Sequence, residues 1–473
     1  MSSFAALNGA FTSLTAQRIA LEATSQNISN VNTPGYTRQR ADLQAITTGG
    51  APTMFGSGAV RSSGVQVTSV DRLGDIFRET SLRTQTSSSS RLTAMAESWT
   101  LLETTVAEPS DKGIAAGLDT YFSAWQDVAN RPDDTAARSV LLGSAASLVT
   151  DIAAGYRAAE TQWDATRAQA DALATDVNTT ATAVADLNGR IRNALVAGES
   201  ANALIDQRGV LLEGLAGLVG GEVRERPDGS VDVMVGGNAL VRGDRATAVA
   251  VHGSATLAQL GTTEPTGGWA AHEGPARVVW ADSGAPTGAT GGRLAGLVEV
   301  LAPADQGGAI ASMAEVYDTL ATTLATEVNA LHSSLPGADG THRDFFTIDA
   351  DRPALSLGVA LTHVDQVTTG TAGEVDGSLA SRLAELSEAR TLWTGAVVDL
   401  GVNTRTATRR ADAAESTRAN AESQLLSQTA VDLDEESVNL VMYQRAYEAA
   451  ARVLTTVDEM LDTLINRTGV VGR

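Results

Sequence analysis

The chain has 473 residues, 43% of them hydrophobic, and a formal net charge of −22. That length exceeds what one hydrophobic core usually supports, so about three domains are expected. The negative charge opposes binding to nucleic acid or to an anionic membrane surface, and the lack of cysteine excludes disulfides and thiolate chemistry.

The first predicted helix carries apolar residues on a repeat of alternating three- and four-residue steps, the spacing of a coiled-coil seam, with Arg18 and Ser25 at the two positions that break it. The apolar residues are Phe4, Leu7, Phe11, Leu14, Leu21 and Ile28. A turn should follow the helix, because asparagine, proline and glycine favour a change of chain direction. Its residues are Asn27, Asn30, Asn32, Pro34, Gly35 and Tyr36.

The opening residues lack a basic segment followed by an apolar run, so no cleaved signal peptide is expected. No run of about 18 consecutive apolar residues predicts a membrane span either. A loop-like region extends to about Val67, where alternation at Val65 and Val67 indicates a short strand.

Residues 71–218 show a helical period in segments that we expect to be separated at Pro109, Pro132, Gly155 and Gly198. The serine run at residues 87–90 keeps its flanking helical spacing and is predicted to be a solvent-facing stretch of helix. Long helices with few aromatic residues are typical of bundle packing.

The period changes to two at Glu222, where alternating valines flank the turn residues 227–230 and predict a β-hairpin. Glycine and proline stay frequent to about residue 290, so residues 222–290 are interpreted as a small β-rich domain. Helix is predicted again over 310–331 and 379–400, with a short β segment between them at 345–367.

The last part of the chain has no glycine or proline between Val402 and Thr468. One uninterrupted helix of that length would span roughly 100 Å. Its final portion carries a second regular apolar stripe, which like the first needs a partner helix. The stripe consists of Leu440, Tyr443, Tyr447, Ala450, Leu454, Val457, Leu461 and Leu464.

The predicted fold is therefore mainly α with a small β-rich insert. Its N- and C-terminal halves form an elongated helical bundle with coiled-coil termini and a central β domain. We expect a terminal assembly domain from residues 1–50 and 428–473, a helical bundle domain from 51–221 and 291–427, and a β-rich outer domain at 222–290.

No catalytic, cofactor-binding or metal-binding residues are predicted. The five histidines, at positions 252, 272, 332, 342 and 363, lack the spacing of a zinc site. The acidic residues Asp432, Asp434, Glu435 and Glu436 fall at a predicted helix start, where negative charge favours the helix dipole.

Both ends of the chain resemble one family. The segment Ser25-Gln-Asn-Ile-Ser-Asn-Val-Asn-Thr-Pro-Gly-Tyr36 resembles the N-terminal signature of bacterial flagellar rod, hook and hook-associated proteins. The segment from Ser437 to Arg452 is similar to the closing helix of that family, and the interior, with Ala203 to Arg208 and Gly291 to Leu297, resembles its hook-associated members.

The resemblance implies a structural, non-enzymatic protein without cofactors that forms a layer between hook and filament, with its terminal helices lining a central channel. It also implies export in an unfolded state through the flagellar type III apparatus, with an export chaperone, to an extracellular position. The implied partners are copies of the chain itself, the hook protein, and the next hook-associated protein or flagellin. The alternatives are another hook or rod subunit, or a glycan-binding or hydrolytic module in the β-rich region.

Overall fold

The computed structural model describes residues 3–48, 61–260, 270–337, 340–371 and 375–463. The first half is mainly helical and consists of α1 (Ser3–Ser29), β1 (Gln39–Thr48), β2 (Arg61–Arg72), α2 (Ile76–Val106), α3 (Ile114–Asn130), α4 (Thr135–Val196) and α5 (Asn202–Val219). β1 and β2 form an antiparallel pair. The sequence indicated only a short strand at Val65 and Val67, so β1 and the length of the pair were missed.

The middle of the chain contains six short strands in two antiparallel sheets. They are β3 (Glu222–Glu225), β4 (Val231–Val235), β5 (Asn238–Arg242), β6 (Arg245–Ala246), β7 (Val249–His252) and β8 (Arg277–Trp280). The predicted hairpin is confirmed as β3 and β4, with Val223 opposite Val233.

The second half returns to helix with α6 (Gly292–Val300), α7 (Ala309–His332), β9 (Phe346–Thr347), α8 (Pro353–Ser356), β10 (Gly358–Val359), α9 (Ser378–Ala384), α10 (Glu388–Thr429) and α11 (Leu433–Asp462). The α7 helix and the short β9–β10 pair fall where the sequence predicted helix and strand. The predicted class, mainly α with a small β insert, is confirmed.

The lack of glycine and proline predicted a single long C-terminal helix, and this prediction is wrong. The helix stops at Thr429, Ala430 is extended, and α11 starts after Asp432. The side chain of Asp432 accepts hydrogen bonds from the backbone N–H groups of Asp434 and Glu435 and so caps the new helix. A strong N-cap within a helical pattern is sufficient to start a second helix, and the predicted helix start at these acidic residues is confirmed.

Two expectations within the first half also need correction. Gly155 does not separate helices but lies inside α4, where a Cβ would stand 2.4 Å from the ring of Tyr317 on α7. The serine run is helical but not solvent-facing, since Ser89 is buried and donates to Glu415 on α10 at 2.9 Å. Small residues at both places allow neighbouring helices to approach closely.

We call helices α2 to α10, with the strands between them, the body of the protein. Its core is built on α4. Side chains of this helix hold the strands through their backbone groups: Asn178 bonds both the N–H and the C=O of Val249, and Asn188 does the same with Val231. Because one asparagine offers a donor and an acceptor, it replaces a missing strand partner. The β strands therefore pack directly on the helical bundle.

Aromatic residues from α3 and the β9 region form a second part of the core. Trp125 and Phe345 have ring centroids 5.4 Å apart, and His332 lies 5.5 Å from the same phenylalanine. The buried imidazole donates from Nδ1 to the carbonyl of Arg343 and accepts at Nε2 from the N–H of Thr368. Burial lowers the pKa of His332, so it is a neutral structural residue.

By length and composition, α4 contains an 18-residue stretch apolar enough to cross a membrane, with a mean hydropathy of 1.3. Core helices of bundles have the same composition, and α4 packs against α3, α5 and α7. One such helix is weak grounds for a membrane span, and 28% of that stretch is buried inside the protein.

Candidate assembly interface

The first and last described helices, α1 and α11, pack against each other. On α11 the predicted stripe faces this contact: Ala450 and Val457 are buried, and the remaining described members are half-buried, namely Leu440, Tyr443, Tyr447, Leu454 and Leu461. Leu464 lies outside the described residues. The two ends of the chain thus provide each other with the partner helix that their spacing requires.

The predicted stripe on α1 is covered less well. Leu7, Leu14, Leu21 and Ile28 are half-buried, and Phe11 is 60% exposed. The side chain of Phe4 lies outside the described residues. The most buried positions of the helix are small or polar instead: Ala10, Ala16, Ala20, Ala23, Thr24 and Asn27. The sequence prediction gave weight to large apolar residues and therefore missed this face of small and polar residues.

The β1–β2 pair packs along α1 and explains its small residues. A Cβ on Gly64 would stand 2.3 Å from Oγ1 of Thr12 and 3.2 Å from Cα of Gly9, so strand and helix are in close contact there. Small side chains are required where backbones approach each other this closely. α1 is therefore enclosed by α11 and by the β1–β2 pair, and its large apolar residues stay partly exposed.

The turn after α1 is organised by Asn27. Its Oδ1 accepts from the hydroxyl of Tyr36 and from the backbone N–H of Gln39, each at 2.9 Å, and its Nδ2 donates to the carbonyl of Gln39. Asn30 donates to the carbonyl of Gln26. Burial, with Asp206 and Glu436 nearby, raises the pKa of Tyr36 to about 12, so its hydroxyl stays a donor.

The exposed members of the turn have other roles. Asn32, Pro34 and Gly35 face solvent, and Gly35 has a φ of +74°, a conformation that glycine adopts without strain. A Cβ at Gly35 would lie 2.2 Å from a methyl group of Val210 on α5. The turn therefore rests directly on the helical body.

Ion pairs join the chain around the turn to α11 and to α5. Arg38 bonds Glu436 at 2.7 Å through Nε and Glu435 at 2.7 Å through Nη2, and Glu436 is 2% exposed. The hydrogen bond from Arg38 lowers the pKa of Glu435. On the other side of the turn, Arg72 bonds Asp206 at 2.7 Å.

A cavity of about 390 Å³ lies between the turn, α2, α5 and the link between α10 and α11. It is lined by apolar side chains such as Leu82 and Leu425 and by charged ones such as Arg72 and Asp206. Burial raises the pKa of Asp206 although Arg72 opposes the shift. The cavity lies where the turn after α1 meets α2, α5 and the end of α10.

A second apolar stripe on α11 lies beside the predicted one and faces solvent. It consists of Val438, Met442, Val453 and Met460, which are all about half exposed or more. Sequence reasoning missed it, because these four residues are spaced less regularly than those of the stronger seam. Across the described residues, no group of three or more His, Cys, Asp or Glu side chains could hold a metal ion.

The two ends define a class of protein, the axial proteins of the bacterial flagellum. Residues 7–37 match the family described as flagella basal body rod protein, and residues 422–467 match the flagellar basal body rod FlgEFG protein C-terminal family. The interior selects a particular family. Residues 99–346 match the flagellar hook-associated protein FlgK helical domain, and the chain belongs to the FlgK family of flagellar hook-associated proteins.

Relatives with curated names agree with this assignment. The flagellar hook-associated protein 1 of Bacillus subtilis (strain 168) is 27% identical over the full length of both chains. The protein of the same name from Salmonella typhimurium is 30% identical over 72% of this chain and 59% of the relative, and that of Escherichia coli (strain K12) is 32% identical over 52% and 44%.

Among solved structures, the flagellar hook junction protein FlgK from Burkholderia pseudomallei matches with a TM-score of 0.46 and 24% identity. The match covers 57% of this chain and 46% of that one. The family match over residues 99–346 favours a hook-associated protein over a hook or rod subunit.

Proposed function

We propose that this chain is a structural subunit joining the flagellar hook to the filament, and that it acts without catalysis or cofactor. The observation that carries the proposal is the α1–α11 pair, which has a solvent-facing apolar stripe beside its internal contact. Such a stripe gains free energy when a neighbour covers it. Copies of the pair would pack around a shared axis, with the hook protein below and the next hook-associated protein or flagellin above.

The proposal includes the route to this position. The chain would leave the cell unfolded through the flagellar type III apparatus, with an export chaperone and without a cleaved signal peptide. The lack of cysteine is consistent with such a route, since no disulfide could form before the chain threads through.

The proposed domain division follows the predicted one: a terminal assembly unit of residues 1–50 and 428–473, a bundle of 51–221 and 291–427, and a β-rich part at 222–290. Limited proteolysis of the free protein should cut first around residue 430, in the link between α10 and α11. First cuts inside α4 would contradict this division.

The central experiment is deletion of residues 430–473. The truncated chain keeps the contacts of the body and should fold, yet it should be missing from purified flagella when these are viewed by electron microscopy with an antibody against the chain. Normal hook–filament joining by the truncated chain would overturn the proposal.

Two adjacent substitutions separate the contact within the chain from the contact between copies. Leu454→Asp places a charge in the α1–α11 contact and should weaken the pair by about 3 kcal/mol. Val453→Asp alters the solvent-facing stripe, so it should block incorporation while leaving hydrogen exchange of the free subunit unchanged. The exposed Thr455→Asp is the control and should assemble normally.

A further inference from the structure

The outer face of α10 carries a stripe that combines apolar and basic residues. Val398, Val402, Arg405 and Arg409 follow steps of four, three and four residues and so share one side of the helix. The opposite side, with Trp393, Leu400, Thr404 and Ala411, is buried. The two valines are 58% and 57% exposed, and all the arginines are exposed.

The arginines of this stripe differ from others on the same helix. Arg390 bonds Asp119 at 2.8 Å, and Arg418 bonds Glu415 and Glu422 at 2.7 and 3.0 Å. Within the described part of the chain, Arg405, Arg409 and the adjacent Arg410 form no ion pair. In a chain with net charge −22, three neighbouring arginines left without an acidic partner are available to a partner outside the chain.

The outer face of α4 carries the complementary pattern. Asp164, Ala168, Asp171 and Thr175 are exposed and follow the same four, three, four spacing. Asp171 bonds Arg167 within its own helix at 2.5 Å, whereas Asp164 forms no ion pair among the described residues. The small side chains between the acids offer a shallow surface on which valines can pack.

These two faces lie on opposite sides of the helical body at the same height. α2 and α7 each contact both α4 and α10, so α4 and α10 occupy opposite corners. Gln162 on α4 donates to the carbonyl of Ser98 on α2, and Thr404 on α10 donates to that of Trp99. Gln162 and Thr404 are therefore at a similar height, and the two stripes overlap along the length of α2.

We propose that the α10 stripe of one copy docks on the outer face of α4 in the neighbouring copy, with Val402 packed on Ala168 and Arg405 facing Asp171. This inference rests on the proposed function, because it places copies side by side in one layer. A contact between two different faces of the same chain is head-to-tail, and repeated by a rotation it produces a ring or a helical layer. Opposite charges set the register of the two helices, and the valines exclude water from the contact between the copies.

The test uses the natural lack of cysteine, which makes every introduced thiol unique. Val402→Cys and Ala168→Cys are combined in one full-length chain, flagella are purified, and a short bismaleimide crosslinker is added. Chains crosslinked in series should appear as a ladder on a denaturing gel, whereas each single variant stays monomeric. As a control, Val402→Cys is combined with Val140→Cys, which is exposed on the same α4 but 28 residues, roughly 40 Å, from position 168.

Charge reversal tests the register. The triple variant Arg405→Glu, Arg409→Glu and Arg410→Glu should reduce the ladder at least fivefold, and adding Asp164→Arg and Asp171→Arg should restore it. A reversed chain that crosslinks as well as the parent, or no ladder from the paired cysteines, would overturn the docking. Immunogold labelling keeps the two proposals apart: label at the hook–filament junction without a ladder rejects only the docking, and absence of label there rejects the proposed function.

Discussion

Asn27 shows how one side chain defines the turn that precedes the body. It is 1% exposed and satisfies the hydroxyl of Tyr36 and both backbone groups of Gln39. Asn27→Ala should reduce the free energy of unfolding of the terminal unit by about 2 kcal/mol, since buried polar groups would lose their partners. Hydrogen exchange of the β1 amides measures this loss of stability.

The control is Asn32→Ala, at an exposed position of the same turn, which should change the free energy of unfolding by less than about 0.5 kcal/mol. If both substitutions had the same effect, the result would contradict the role of Asn27.

Glu327 on α7 gives the protein a pH dependence. Burial, together with the nearby carboxyl group of Glu388 at the start of α10, raises the pKa of Glu327 from 4.5 to about 7. The folded state thus binds a proton more tightly than the unfolded chain, so this stabilisation is complete below pH 4.5 and is lost as the pH rises to about 7.

The substitution Glu327→Gln mimics the protonated acid. We expect it to raise the melting temperature at pH 8 and to leave it nearly unchanged at pH 5. Thermal unfolding followed by circular dichroism at both pH values provides the measurement. The substitution Glu199→Gln, at an exposed position, serves as the control and should change the melting temperature by the same amount at both pH values. If the melting temperature rose as much at pH 5 as at pH 8, the result would contradict the raised pKa of Glu327.

Some of these roles are readable from the sequence and others are not. The asparagines of the turn could be predicted to satisfy local backbone groups, because their partners lie within twelve residues. The partner of Arg38 could not be predicted, since Glu436 is 398 residues away and only the folded chain brings them together. The sequence predicted no zinc site at the histidines, and the structure places His332 in the core.

The start of α11 depends on its connection to β1. Glu436 is almost fully buried, and Arg38 is its ion-pair partner. Removing one member of a buried pair leaves an uncompensated charge, so Arg38→Ala should destabilise the docking of α11 by about 3 kcal/mol. Faster hydrogen exchange in the first turns of α11 would report the change. Arg452→Ala breaks only an exposed pair with Glu448 and should cost about 0.3 kcal/mol; an equal cost would argue against the Arg38 link.

Helices and hairpins with strong periodicity were predictable, and their ends were less so. α7 and the β3–β4 hairpin follow from spacing alone. The sequence predicted a helix start at the acidic residues around Asp432 but not the end of α10 before it, because neither glycine nor proline marks that end. The capping side chain of Asp432 starts α11. β1 was missed because polar residues dominate its sequence, and its pairing with β2 against α1 stabilises it.

The whole chain should show two levels of local stability. α4 contributes the fully buried Trp163 and many other core residues, whereas α1 buries mainly alanines. Less apolar area buried means a smaller free energy of local opening. We expect amides of α1 and α11 to exchange rapidly in the free subunit and those of α4 slowly. Comparable protection in all three helices would show that the terminal pair is already stable in a single chain.

The pairing of α1 with α11 joins residues near the beginning of the chain to residues more than 400 positions later. Ribosomal errors and proteolytic nicks shorten polypeptides from the far end, and any product lacking its last forty or so amino acids has no mate for its opening helix. The pairing therefore makes the burial of α1 depend on an intact C-terminal helix, so only a chain that still carries α11 can cover its own first helix.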